Sequence, residues 1–310
     1  MNPLREAVRD YLALRRDLGF KLRDHEVDLR DFIQFLERQC TSYITTALAL
    51  RWATERSHQQ PAQWAKRLSF VRGFARHWSA SDPRTEIPPA GLLPYRPQRV
   101  RPYLYSDEEI QCLLEATKHL PSINGLRPWT YRCLFGLLVV TGMRISEVLS
   151  LHRQDVDLQE GLLTIRQSKF GKSRLVPMHV STQQVLADYA HRRDRLLPVV
   201  RTQCFLVSDR GCSLDGATVR KFFYKLSRQT GLRGESDRKG PRLHDFRHRF
   251  AVKTLLQWYR SGEDVERRLP ILSTYLGHRH VSDTYWYLST CPELMGLAVE
   301  RLEQRWEGGS

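Results

Sequence analysis

The stretch Leu276–Tyr287, LGHRHVSDTYWY, places a glycine and two histidines ahead of two closely spaced tyrosines. A glycine here is typical of a helix C-cap, and the aromatic residues are typical of a core. Tyrosine can also act as a nucleophile, but a phenol with a pKa of about 10 then needs a proton acceptor and cationic surroundings. Because positions 285 and 287 are about 200° apart on a helix, only one of Tyr285 and Tyr287 can face a given site. By itself the stretch therefore allows both a packing role and a catalytic one.

Two earlier segments carry cations suited to binding a phosphate. In TGMRISE, Arg144 follows a glycine turn at a helix start, where its guanidinium and free backbone N–H groups can bind an anion. In HDFRH, His244 and Arg247 are three residues apart and share one helical face. A proton-transferring imidazole beside a fork-shaped anion ligand is an arrangement for phosphoryl transfer. Each segment alone is weak evidence, because such short patterns are common.

A short β-hairpin is predicted between these two segments. Leu162–Arg166 and Arg174–Met178 are typical of short strands, and the connection QSKFGKS has the glycine and polar content of a hairpin loop. Lys169 in this loop could protonate a leaving oxygen, and Lys172 is the alternative. The other segments after Tyr103 predict helices around residues 106–119, 128–141, 181–196, 215–229, 244–259, 265–276, 281–288 and 292–305, with a short one after Met143.

Taken in order, these features resemble the tyrosine recombinase (lambda-integrase-like) family over about residues 103–288. The family signature is an arginine in TGxRxSE, a hairpin lysine, an HxxR box, and LGH with a tyrosine nine residues after its histidine. Counting from His278 favours Tyr287 over Tyr285, and alignment of the hairpin favours Lys169 over Lys172. The strings HVSDTYWYLS and DPRTEIPP look most like recombinases carried on transposable elements.

The resemblance implies a DNA strand transferase that needs neither a metal nor another cofactor. Tyr287 would attack the scissile phosphorus to form a 3′-phosphotyrosine and release a 5′-hydroxyl. Arg144 and Arg247 would bind the non-bridging oxygens. The remaining implied roles are general acid/base for His244, general acid for Lys169, phosphate hydrogen bonding for His278 and orientation of the catalytic side chains for Glu147. His248 is interpreted as a structural or DNA-contacting residue.

The resemblance also implies the architecture, which is mainly α with a small β-sheet. An N-terminal helical core-binding (SAM-like) domain, residues 1–82, would be joined by a proline- and arginine-rich linker, residues 83–102, to the DNA breaking-rejoining catalytic domain, residues 103–310. The two domains would close around DNA as a C-shaped clamp, and four chains would act on two DNA sites, with or without other recombinases. The segment Pro292–Arg305 is expected to dock on a neighbouring subunit, with packing on its own domain as the alternative.

Basic residues in three regions are candidates for DNA contacts. After Pro61, apolar residues recur at helical spacing, and the basic residues fall largely outside that stripe. A proline-stiffened linker rich in arginine is suited to lie along phosphates. The predicted DNA-contacting residues are Lys66, Arg67, Arg72 and Arg76 in the helix, Arg96, Arg99 and Arg101 in the linker, and Lys172 and Arg174 in the hairpin.

The composition limits the class of protein. The 310 residues carry a net charge of +15 at pH 7 with 41% hydrophobic residues, which together favour a folded chain that binds a polyanion. No apolar run approaches the ~18 residues of a membrane span, and no signal peptide is evident, so a cytoplasmic, nucleoid-associated protein is expected. The six cysteines form no CxxC pair, which argues against a zinc module or a disulfide framework.

Two other functions remain open from the sequence. A type IB topoisomerase uses the same arginine, lysine, histidine and tyrosine roles to relax supercoils. A non-catalytic DNA-binding protein could keep the fold, although no catalytic position is missing here.

Overall fold

The computed structural model describes residues 3–20, 22–57, 59–93, 101–166, 171, 173–237, 239–288 and 291–307. The chain divides into two compact units, Met1–Val100 and Arg101–Ser310. Among the described residues no helix combines the length and apolarity needed to cross a membrane. The predicted mainly helical fold with a small sheet is confirmed.

The described part of the first unit forms a bundle of four helices: α1 (Pro3–Asp17), α2 (Arg23–Arg38), α3 (Thr46–Thr54) and α4 (Pro61–Trp78). Its core is rich in aromatic rings from these helices, including Phe32, Phe35, Trp52 and Phe74. Thr45 caps α3 by accepting a hydrogen bond from the backbone N–H of Leu48, and Pro61 begins α4, where its missing N–H costs nothing.

The first eleven residues of the predicted linker pack on this bundle. The Glu86 carboxylate accepts a hydrogen bond from the Thr46 N–H at 2.7 Å, and the Glu86 N–H donates to the Ile44 carbonyl at 2.8 Å. Thr85 is buried. Residues 83–93 therefore pack with the first unit, because non-local hydrogen bonds hold a segment that has no helical periodicity.

The second unit contains nine α-helices among its described residues, and a capping box begins the first of them. The Ser106 hydroxyl accepts from the Glu109 N–H at 3.1 Å, and the Glu109 carboxylate accepts from the Ser106 N–H at 2.8 Å. The helices are α5 (Asp107–Ala116), α6 (Leu126–Thr141), α7 (Ile145–Leu149), α8 (Val180–Leu196), α9 (Gly216–Gln229), α10 (Asp245–Arg260), α11 (Val265–Leu276), α12 (Ser282–Tyr285) and α13 (Pro292–Glu307).

The sheet has three antiparallel strands in the order β1 (Val156–Asp157), β2 (Leu162–Ile165) and β3 (Arg174–Pro177). Leu163 pairs with Val176, and both are fully buried, so one face of the hairpin packs on the core. The two predicted strands are present. The two-residue β1 was not predicted, because two residues cannot show a period.

Helix α13 packs against α10 of its own unit. Leu294 is completely buried there, and Arg260 forms an ion pair with Glu293. In the single chain, α13 thus packs on its own domain. The helix leaves a second apolar face exposed, formed by Met295, Val299, Leu302 and Trp306.

Candidate active site

Arg144 is positioned by the turn between α6 and α7. Helix α6 ends at Gly142, whose φ of +60° is left-handed and favours glycine. A Cβ at Gly142 would also lie 2.6 Å from the ring of Phe250, so no larger residue fits. The Arg144 guanidinium then donates from Nη1 to Glu147 at 2.9 Å and from Nη2 to the Gly277 carbonyl at 2.9 Å. Two motifs far apart in sequence therefore meet at this side chain.

Arg247 is held by the C-terminal ends of two helices. It donates to the carbonyls of Gly142, at 3.0 Å, and Leu276, at 2.5 Å, which end α6 and α11. These carbonyls have no partner within their own helix and carry the negative end of the helix dipole, so they favour a cation. Burial lowers the pKa of Arg247 to about 10, and the side chain remains charged at neutral pH.

Glu147 lies between two arginines. Arg174 donates to its two carboxylate oxygens at 3.0 and 2.9 Å, opposite the bond from Arg144. Burial by itself would raise the pKa of Glu147, but the guanidinium hydrogen bonds outweigh it and hold this pKa below its ordinary value. The carboxylate is therefore ionised and fixed in place.

Arg174, a predicted DNA contact, is turned inward in the structure and bonded to protein groups. The side chain is only 8% exposed, and its Nε donates to the Tyr275 carbonyl at 2.6 Å. The sequence placed it on a basic hairpin, whereas the strand turns it inward onto Glu147.

The two candidate tyrosines face opposite environments. Tyr287 is 3% exposed, its hydroxyl lies 3.5 Å from Nε2 of His278, and its ring contacts that of His248 at 5.4 Å. Tyr285, the last residue of α12, is 55% exposed. Burial raises the pKa of Tyr287, while the charges of Arg247 and Arg144 act in the opposite direction. Of the two candidates, Tyr287 is therefore the one that the arginines of the site act on, while Tyr285 is exposed to solvent.

Three histidines belong to this cluster. His278 places Nδ1 2.7 Å from the Thr284 hydroxyl, and His248 packs edge-on against His244 with ring centroids 4.8 Å apart. Burial, together with nearby cationic groups, lowers the pKa of His278 to about 4. Burial and the neighbouring His244 likewise lower the pKa of His248 to about 4. Burial and the nearby charge of Arg247 also lower the pKa of His244.

The structure therefore brings six of the predicted site residues into one cluster, to which Arg174 and His248 are added. His248 directly follows Arg247 in sequence, so its position in the HDFRH segment was the available signal. Lys169 and its alternative Lys172 lie outside the described residues. The six predicted residues that meet in the cluster are Arg144, Glu147, His244, Arg247, His278 and Tyr287.

The predicted DNA contacts on α4 divide by exposure. Lys66, ion-paired with Asp24 at 2.7 Å, and Arg76 are exposed. Arg72 is half-buried and donates to the carbonyls of Pro88 and Pro89. Arg101, at the start of the second unit, is exposed, and Arg96 and Arg99 lie outside the described residues.

Arg67, also a predicted DNA contact, is buried on the inner face of α4. It is 2% exposed, donates to Asp31 at 3.0 Å and stacks over the ring of Trp52 at 3.9 Å. The sequence analysis assigned only apolar residues to the buried face of this helix. An arginine that stacks on a tryptophan can also lie on that buried face.

A further basic surface is formed by helix α9, which the sequence analysis did not single out. The helix contains four cations and no acidic residue, and that imbalance was the sequence signal available. The exposed cations are Arg220, Lys221, Lys225 and Arg228.

Comparison with known proteins agrees with this geometry. Residues 104–293 match the model of the "Phage integrase family". A protein of Sinorhizobium fredii strain NGR234 that carries the name integrase/recombinase y4rB is 56% identical over 311 residues, covering 99% of each chain.

Two solved structures share the fold at low sequence identity. The Tn1549 transposon integrase in complex with transposon right end DNA aligns with a TM-score of 0.66 and 14% identity, over 96% of this chain and 98% of that one. A lambda integrase tetramer bound to a Holliday junction aligns with a TM-score of 0.63 and 19% identity, over 92% of this chain and 76% of that one.

Proposed function

The chain belongs to the phage integrase family of tyrosine recombinases, and on that premise we propose that it cuts and rejoins duplex DNA at specific sites through a 3′-phosphotyrosine. The family assignment favours recombination over the topoisomerase and the non-catalytic binder. The similarity of its fold to that of a transposon integrase supports a role on a mobile element.

One observation carries the proposed chemistry: the buried Tyr287 hydroxyl lies beside His278 and Arg247. Arg144 and Arg174 share the carboxylate of Glu147, and Arg247 is held by two backbone carbonyls, so the three arginines carry more positive charge than this carboxylate neutralises. A site of fixed, desolvated cations stabilises an added phosphate and the charge that develops on it during reaction.

The reaction balances without a cofactor. The Tyr287 oxygen forms a bond to phosphorus as the bond from phosphorus to the 5′ oxygen breaks, and the energy of the phosphodiester is kept in the phosphotyrosine. His244 accepts the tyrosine proton, and Lys169 gives a proton to the 5′ oxygen. Arg144, Arg247 and His278 bind the non-bridging oxygens. Attack by a second 5′-hydroxyl reverses these steps and releases the tyrosine.

Strand exchange needs several chains, and α13 is suited to link them. Met295, Val299, Leu302 and Trp306 recur at spacings of four, three and four residues, which is the pattern of a helix that packs on a partner. Lambda integrase forms a tetramer on a Holliday junction, and we place this chain in an assembly of the same kind. The mass of the complex that the Tyr287→Phe variant forms with a two-site DNA measures the number of chains.

The function is tested by trapping the covalent intermediate. The protein is incubated with labelled, nicked duplexes that tile the DNA on both sides of its coding region, and the products are separated in SDS. The wild type and Tyr285→Phe should both give an SDS-resistant adduct on the same duplex, and Tyr287→Phe should give none. Absence of a wild-type adduct on every duplex contradicts the function, and an adduct from Tyr287→Phe contradicts the choice of nucleophile.

A further inference from the structure

Arg174 uses its whole guanidinium on protein partners. It is the first residue of β3, and two of its nitrogens form parallel hydrogen bonds to the two oxygens of Glu147 at 3.0 and 2.9 Å. The third, Nε, donates to the Tyr275 carbonyl at 2.6 Å. A bidentate pair of this kind fixes orientation as well as distance.

The same carboxylate fixes Arg144. Glu147 accepts from Nη1 of Arg144 at 2.9 Å and from the Arg144 backbone N–H at 2.9 Å. Because Glu147 is itself buried, its position depends on the groups that hold it, and Arg174 supplies two of those contacts. Removal of Arg174 would leave one side of the carboxylate without its partner.

Gly277 brings a third segment into the arrangement. A Cβ built at this glycine would lie 3.0 Å from Nη1 of Arg174 and 3.4 Å from Nη1 of Arg144. The turn that ends α11 and precedes His278 therefore packs directly against both guanidinium groups. Arg174 is in contact with the start of α7 through Glu147 and with the end of α11 through Tyr275 and Gly277.

We propose that Arg174 is a positioning residue of the recombinase site, which acts through Glu147 on Arg144 and through the Tyr275–Gly277 turn on His278. The inference rests on the function proposed above.

The alternative role is direct phosphate binding, as the basic hairpin sequence suggested. The hydrogen bonds that all three of its nitrogens make to protein partners argue against it. A lysine at this position would keep the charge, but its single ammonium cannot form the parallel pair and reach the Tyr275 carbonyl as well.

The test compares Arg174→Met, Arg174→Lys and Glu147→Gln with the double variant Arg174→Met/Glu147→Gln. Arg153→Met is the control, since Arg153 is a half-exposed arginine whose ion pair with Asp194 lies at the surface of the same unit. Single-turnover cleavage at saturating protein is measured with the nicked duplex that traps the wild type. Affinity is measured separately for uncleaved DNA in the Tyr287→Phe background, and circular dichroism reports folding.

A positioning role predicts that Arg174→Met slows cleavage about 10- to 100-fold, because small displacements of a catalytic group cost rates of this size, while DNA affinity changes less than about threefold. Arg174→Lys, which retains the charge, should also be slowed. The double variant should be no slower than the slower single variant, since both changes remove the same support. The control should match the wild type.

The opposite results overturn the inference. A loss of DNA affinity with additive effects in the double variant would make Arg174 a phosphate ligand. Wild-type cleavage by the folded fraction of both Arg174 variants would make it a structural residue only. If the wild type itself forms no adduct, the proposed function fails and this inference fails with it, whereas an equal rate for wild type and Arg174→Met refutes the inference alone.

Discussion

At the scale of single residues, the site keeps its histidines neutral. His248 and His278 are both packed beside Arg247, and a protonated imidazole there would be desolvated next to a fixed positive charge. A neutral ring can still donate one hydrogen bond and accept another. The site thus holds its positive charge on arginines rather than on histidines.

The lowered histidine pKa values predict a pH-dependent stability. Both lie near 4, below the value of about 6.5 in an unfolded chain. Between about pH 6.5 and 4 the unfolded chain therefore binds more protons, and the free energy of unfolding falls as the pH falls. Each histidine contributes up to ~1.4 kcal/mol per pH unit in this window. The free energy of unfolding of the full chain can be measured by urea titration at several pH values between 4 and 6.5. Its dependence on pH should be less steep for His248→Gln than for wild type, and an equal dependence would contradict the prediction.

The residues whose surroundings the sequence did not reveal are those whose partners are distant in sequence. Arg144, His244, Arg247 and Tyr287 could be placed because each belongs to a short motif with a fixed spacing. Arg174 was assigned to DNA because its partner Glu147 lies 27 residues away and no local pattern shows the pair. A charge count cannot separate an arginine that faces solvent from one that binds a buried carboxylate.

At the scale of elements, helix ends build the site more than helix faces do. The C-terminal ends of α6 and α11 provide carbonyls to Arg247 and Arg144, and both ends carry a left-handed glycine, Gly142 and Gly277. The glycines were visible in the sequence as TG and LG, and helical periodicity placed the long helices. The pairing of the two helix ends was not visible, since it depends on how α10 crosses α6.

Two glycine variants separate backbone strain from close packing. Gly142 and Gly262 both have positive φ, but a Cβ at Gly142 meets Phe250 at 2.6 Å, whereas Gly262 has open space. Gly262→Ala should cost about 1 kcal/mol, the ordinary penalty of a left-handed residue. Gly142→Ala should cost a further ~1–3 kcal/mol from overpacking and should also slow DNA cleavage, because it displaces the carbonyl that holds Arg247. Denaturant titration measures the difference, and equal losses would show that the Phe250 contact is relaxed at no cost.

At the scale of the whole molecule, the basic residues behind the net charge of +15 fall into three groups. Arg144, Arg174 and Arg247 are fixed within the site. Others, such as Arg67, are buried with an internal partner. The third group is exposed and includes Arg76 on α4 and the basic face of α9, and we expect only this group to hold DNA phosphates that are not cut.

The salt dependence of DNA binding measures this division. Each lost phosphate contact should reduce the slope of log K against log salt by about 0.9. Arg76→Gln should therefore lower the slope by about 0.9, and Gln at positions 220, 221 and 225 of α9 together by up to ~2.7, with single-turnover cleavage at saturation unchanged. Arg67→Gln, on the same helix as Arg76, is the matched control. It should lower the melting temperature, because it breaks the contacts with Asp31 and Trp52, and leave the slope as in the wild type. A lower slope for Arg67→Gln at full folding, or an unchanged slope for the α9 variant, would mean that exposure does not decide which cations bind DNA.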